Sequence, residues 1–205
     1  MKIAIIGTGN VGSALAKGFA KAGHKVITGS RDVSKSKNNE LVKYSSNISQ
    51  KTIKEAISEA GIVVFTTPPI PAVEVAGDFP ELKEKIIIDT TNALFNPPAP
   101  YKTAFEGIKA KTGSSKVVKC FNTTGAENME NPRYGNLGID MFMAGSDPES
   151  KNIVAGLAKD IGFEECYDFG GDDRVELLEQ LAFSWINLAI FQKNGRNFAF
   201  KIIKR

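Results

Sequence analysis

The sequence predicts an α/β fold, a doubly wound and mostly parallel sheet closed by C-terminal helices. Three features of the chain point there. Short β-branched and apolar runs alternate with longer amphipathic stretches, which is the βαβ pattern. Most of these runs are continuously apolar rather than alternating, as parallel strands covered on both faces require. The first run leads into Gly7-Thr8-Gly9-Asn10-Val11-Gly12, a G-x-G-x-x-G that opens an amphipathic stretch; after a strand and before a helix, that pattern marks a Rossmann-type unit.

The elements follow in order. Residues Lys2–Ile6 form the first strand. Val11, Ala14, Leu15, Gly18, Phe19 and Ala22 then recur on one helical face, and Gly23 ends that helix as a C-cap. Further strands are expected at Lys25–Thr28, Ile62–Thr66, Lys85–Asp89, Lys116–Phe121, Met141–Ala144 and Glu164–Phe169. The proline-rich segments Pro68-Pro69-Ile70-Pro71 and Asn96-Pro97-Pro98-Ala99-Pro100 read as loops. Asp147-Pro148-Glu149 supplies an N-cap and a first-turn proline for a helix to about Ile161. A last helix starts at Asp172-Asp173 and runs to about Asn194. It carries one apolar stripe of Val175, Leu178, Ala182, Trp185 and Ala189, and a second of Phe183, Ile186 and Ile190. The second stripe meets either the segment Phe198–Ile203 or a second copy of the chain, as a homodimer surface.

Composition bounds the partners. With 205 residues, 42% hydrophobic and 24% charged, the chain is an ordinary globular protein. Its length suits a single domain at residues 1–205, with 172–205 as a helical extension and no separate substrate domain. The 26 Lys and Arg against 23 Asp and Glu are scattered, so no basic face for nucleic acid is indicated. Cys120 and Cys166 lie far apart in sequence and without a histidine cluster, so neither a disulfide framework nor a metal site is expected. The apolar run after Met1 is too short for a signal-peptide core, and no apolar stretch is long enough to span a bilayer. A reducing cytoplasm is the expected location.

The glycine turn assigns a dinucleotide. Gly7 makes the tight turn, Gly9 lets a pyrophosphate approach the backbone, and Gly12 permits close helix–strand packing. The free N–H groups of the helix then face the phosphates. At the end of the second strand, NAD-binding proteins place an acid about 20 residues beyond the turn. Here Thr28-Gly29-Ser30-Arg31 stands there, with Lys35 nearby. A hydroxyl, a guanidinium and an ammonium bind a 2′-phosphate, so NADP(H) is expected over NAD; Asp32 lies past the Ser-Arg pair.

These residues carry a family resemblance. Over nearly its whole length the chain resembles the F420-dependent NADP oxidoreductases, whose hydride partner is the deazaflavin F420. The resemblance rests on Lys2–Gly12, on Gly29-Ser30-Arg31 with Lys35, on Thr66-Thr67-Pro68, and on Lys116-Val117-Val118-Lys119. It implies that Thr8, Gly9, Asn10 and Val11 contact the phosphates and that Ser30, Arg31 and Lys35 hold the 2′-phosphate. At Asn122 the archaeal members carry histidine. The stretch Lys116 to Thr123 also resembles the oxidoreductase domain of the six-transmembrane metalloreductases, which pass hydride from NADPH to a flavin, so F420 and FMN or FAD both stand as acceptors.

Ligands of such sheets lie beyond the carboxyl ends of the strands. Thr66, Thr67, Pro68 and Ile70, Thr91 and Asn92, and Asn122 and Thr123 are therefore the expected nicotinamide and acceptor pocket. Asn122 and Thr123 are assigned to the acceptor or the nicotinamide carboxamide, and Pro68 and Ile70 to packing against a ring. These groups are neutral; Asp89 and Glu127 are the nearest acids in sequence, and Asp89 is expected to bind local backbone donors. No acid–base catalyst is expected, and the one histidine, His24, sits in the turn into the second strand with a structural or solvent-facing role. Hydride exchange between two redox rings suits such a site. Two other readings stay open: a non-catalytic NADP(H)-binding redox sensor, and a small imine or carbonyl reductase, since pyrroline-5-carboxylate reductases have a similar glycine turn.

Overall fold

The computed structural model describes residues 1–34 and 36–205, without the side chains of 36–39. In chain order its elements are β1 (Lys2–Ile6), α1 (Asn10–Lys21), β2 (Lys25–Ser30), α2 (Ser36–Tyr44), β3 (Ile48–Thr52), α3 (Ile53–Glu59), β4 (Ile62–Phe65), α4 (Pro69–Asp78), β5 (Ile86–Asp89), α5 (Ala104–Thr112), β6 (Val117–Cys120), α6 (Ala126–Glu130), β7 (Arg133–Tyr134), β8 (Leu137–Gly138), β9 (Met141–Ala144), α7 (Pro148–Asp160), β10 (Cys166–Asp168) and α8 (Val175–Ile186). A 3₁₀ turn at Asp172–Arg174 leads into α8, and a π-helical turn at Asn187–Phe191 prolongs it.

Eight strands make one sheet in the order β10-β9-β6-β5-β4-β1-β2-β3. Every pairing in it is parallel except β6 with β9. The order reverses between β1 and β4, the topological switch point at which such sheets open a crevice. Residues alternate to opposite faces along each strand. Ile3 and Ile5 of β1 join a core with Leu15, Phe19, Val64 and Val118, while Ala4 and Ile6 join another with Ala56, Phe65, Ala72 and Val117. All twelve are fully buried, which is why these strands read as unbroken apolar runs.

Two expectations are corrected, and one strand is added. Pro69-Ile70-Pro71 is not a loop but the first turn of α4, with Pro68 as its N-cap. First-turn residues have no intrahelical N–H bond to lose, so prolines fit there. The structure adds a strand, β3, Ile-Ser-Gln-Lys-Thr, that carries no apolar signature, because a sheet edge needs no continuous apolar run and only Ile48 of it is buried. The last helix ends at Phe191 rather than near Asn194, where Lys193 takes φ 58° and Gly195 φ 77°.

The first stripe of α8 packs as expected: Val175, Leu178, Ala182, Trp185 and Ala189 are all buried. Segment 198–203 meets this stripe through Phe198. Phe198 stacks on Trp185 at 5.5 Å, and Trp185 Nε1 donates to its carbonyl at 2.8 Å. Phe183 of the second stripe instead meets Phe95 and Phe191, at 5.7 and 6.4 Å, in a cluster whose Phe95 is 70% exposed. Cys120 and Cys166 are free thiols, and burial pushes the Cys120 thiol well up from its ordinary value. Among the described residues no helix is long and apolar enough to cross a membrane.

Candidate active site

The glycine turn between β1 and α1 is a close-packed object. Gly7 adopts φ +110°, where L side chains are strained. A Cβ on Gly12 would lie 2.1 Å from the Gly7 carbonyl oxygen, so the helix could not approach the turn. Around Gly9 a Cβ would meet nothing within 4 Å, so the turn keeps an open face there, and Gly9 caps α1 with no side-chain bond to its first N–H groups. Thr66 braces the turn: its Oγ1 donates to the carbonyls of Ile6 and Gly7 at 3.0 and 2.8 Å.

Beside the turn lies a cleft of about 300 Å³. Its walls bring together Gly7 and Thr8 with Ser30, Arg31 and Asp32 from the end of β2, and Thr67 and Pro68 from the end of β4. Pro68 thus faces the same cleft as the Ser-Arg pair, while Ile70 lines a separate groove with Asn96 and Pro97. Arg31 is largely exposed, 4.0 Å from Glu74. Asp32 turns its Oδ1 onto Ser34, accepting from the backbone N–H at 2.9 Å and the hydroxyl at 2.6 Å. Lys35 lies outside the described residues.

Across the switch point, the ends of β5 and β6 hold the other expected residues. Asn92 Nδ2 donates to the Asn122 carbonyl at 2.9 Å, and Asn122 Nδ2 donates to Asn92 Oδ1 at 3.0 Å. Thr123 is buried with its hydroxyl on Met141 Sδ at 3.7 Å. Thr67 Oγ1, Thr91 Oγ1 and Asn122 Oδ1 are buried without a hydrogen-bond partner. Leaving such an atom unmet costs about 1–3 kcal/mol each, and three of them at strand ends fit a polar ligand that completes them.

Charge lies directly beneath these neutral groups, which the sequence reading missed. Lys119 is fully buried, with Nζ 2.9 Å from Asp89 and 2.6 Å from Glu179 of α8. Asp89 does bind a local donor, the Thr91 N–H at 2.9 Å, as expected. The nearest acids are therefore not Asp89 and Glu127 alone. A signal existed: Lys119 interrupts an apolar strand, and Glu179 falls four residues after Val175 and three before Ala182, on the buried stripe. Glu127 is turned away to Arg196, whose guanidinium at 2.8 Å holds its carboxyl below the usual range. His24 sits at the opposite end of the sheet, 3.0 Å from Asp160, in the structural position expected of it. Among the described residues no cluster of His, Cys, Asp or Glu could hold a metal.

The F420-dependent NADP reductase of Methanocaldococcus jannaschii is 30% identical over 221 residues, covering 95% of this chain and 95% of its own. The chain belongs to that reductase family. The family signature described as NADP oxidoreductase, coenzyme F420-dependent, matches residues 2–93, which span the glycine turn, Ser30-Arg31 and the loop after β5. The F420-dependent NADP reductase of Methanothermobacter thermautotrophicus is 28% identical over 98% of this chain and 94% of its own. A crystal structure from Arthrobacter sp. FB24, provisionally assigned as an F420-dependent NADP reductase, superposes with a TM-score of 0.85 at 29% identity over the full length of both chains. A reductive aminase from Aspergillus terreus in complex with NADPH shares the fold alone, with a TM-score of 0.69 and 22% identity; this chain covers 63% of it. The family and the Rossmann-type fold are those expected from the sequence.

Proposed function

We propose that this protein is an NADP-dependent oxidoreductase that moves hydride between NADP(H) and coenzyme F420. The observation that carries this reading is the near full-length relation to reductases named for both cofactors. The site fits it. A glycine turn with an open face at Gly9, a cleft ending in Ser30 and Arg31, and three buried polar atoms awaiting partners make a dinucleotide cradle.

In this reading each part of the chain has one task. The first N–H groups of α1 and the backbone of Thr8, Gly9, Asn10 and Val11 bind the pyrophosphate. Ser30 and Arg31, with Lys35, hold the 2′-phosphate and exclude the competition of a ribose-binding acid. Thr91 and Asn122 present hydroxyl and amide oxygen to the carboxamide of the nicotinamide half, and Thr67 lies on the path between. The cofactors, when bound, supply the hydride donor and acceptor. The protein orients the rings and keeps water out, and no residue of the strand ends has to move a proton.

The test is NADPH oxidation followed at 340 nm. Oxidation is expected when F420 is added and not in its absence. Turnover with FMN or riboflavin and none with F420 would reassign the acceptor to a flavin. Tight NADPH binding without turnover on any of these acceptors would overturn the enzyme reading in favour of a sensor.

A further inference from the structure

Each buried carboxylate beneath the strand ends is divided between two partners. Asp89 gives Oδ2 to Lys119 Nζ and Oδ1 to the Thr91 N–H. Glu179 gives Oε1 to the same Nζ and Oε2 to the Ala93 N–H, 2.9 Å away. The loop after β5 is thus gripped on both sides of Asn92, by one residue of β5 and one of α8, and the two grips share a single ammonium.

That grip has a chemical consequence at Asn122. The Asn122 carbonyl only accepts, so the Asn92 amide must turn its Nδ2 toward it. Asn92 Oδ1 then faces the Asn122 side chain and can only be met by Nδ2 of that residue. Asn122 Oδ1 is left pointing elsewhere, buried and unpartnered. Moving the loop would strand a backbone N–H and a buried carboxylate together, an expensive pair of losses.

We propose that Lys119 and Glu179 are positioning residues: with Asp89 they clamp the Thr91-Asn92-Ala93 loop so that Asn122 Oδ1 stands ready as a hydrogen-bond acceptor for the carboxamide N–H of the nicotinamide half. The inference rests on the reading of these strand ends as an NADP site and adds to it residues that touch no ligand. It also makes α8 part of the site, through a side chain 60 residues from Lys119 in sequence.

The clamp acts on one half of the dinucleotide, and the adenosine half is held elsewhere. The test therefore compares equilibrium binding of NADP and of 2′,5′-ADP, which lacks the nicotinamide, by titration calorimetry. In Glu179→Gln the affinity for NADP is expected to fall about tenfold, the order of one lost hydrogen bond, while that for 2′,5′-ADP stays within about twofold. Glu179→Asp keeps the charge beside Lys119 but is a methylene too short to hold Ala93 as well; it should show the same split and carries the test if the glutamine variant does not fold. Asn92→Ala, which leaves all three charges in place, should weaken NADP similarly and combine with Glu179→Gln less than additively. Equal losses for both ligands, no loss for either, or full additivity would overturn the clamp. A parent protein that binds neither ligand would overturn the nucleotide reading, and the clamp's role with it.

Discussion

The two ends of the sheet treat their polar groups in opposite ways. At the amino ends of the strands, His24 lies between Asp160 at 3.0 Å and the Met1 amino group at 3.2 Å. Lys25 is paired with Asn47, whose Nδ2 donates to Ala20, and Lys85 donates to the Ala60 carbonyl. At the carboxyl ends, Thr67, Thr91 and Asn122 each keep a buried oxygen unmet, above a charge network that is itself fully paired. Unmet polar atoms are costly wherever they are buried. Away from the carboxyl ends the same situation recurs among the described residues only at Asp172, whose Oδ1 is unmet while its Oδ2 pairs with Lys109; the clustering of three neutral groups marks the carboxyl ends as the place a ligand would complete.

Substitutions can break that contrast. The largest effect is expected from Gly12→Ala at the carboxyl end, whose Cβ would press on the Gly7 carbonyl. Chemical denaturation should register a loss of about 1–3 kcal/mol for the overpacking, and NADPH turnover should drop on the order of 100-fold as the phosphate cradle shifts. Unchanged turnover would mean that the turn does not carry the nucleotide. Arg31→Ala comes next. Its side chain is exposed, so stability should not change, while NADP affinity falls about tenfold and NAD affinity holds. Preference for NADP surviving intact in a binding titration would move the 2′-phosphate away from Arg31. The smallest effect belongs to the amino end: Asp160→Asn should cost under about 1 kcal/mol in a thermal or denaturant melt, as half-exposed pairs do, and leave NADP affinity untouched. A binding defect there would erase the distinction between the two ends.

Legibility along the chain follows the range of the interactions. β1, the glycine turn and α1 could be read residue by residue, because a tight turn, a helix start and an apolar face are all decided within about ten neighbours. The Ser30-Arg31 end of β2 was legible for the same reason. The helix α4 was misread as a loop, since Pro69 and Pro71 signal a break unless they fall in a first turn. β3 escaped because an edge strand of Ser, Gln, Lys and Thr has no apolar signature. The second stripe of α8 was visible as a stripe, but its contact with Phe95 and Phe191 could not be read from periodicity.

By itself the sequence determined the class of fold, the glycine turn and the expectation of NADP(H), each a matter of local backbone geometry and charge. It also named Asn92, Asn122, Thr91 and Thr67 as strand-end groups. Only the tertiary structure decided which of their atoms are paired and which are open, and that Lys119 joins Asp89 to Glu179 beneath them. Hydrogen bonds between residues 30 and 60 positions apart depend on how strands and a closing helix come together. No periodicity records that, because the pattern states which face a residue occupies and not whom it meets there.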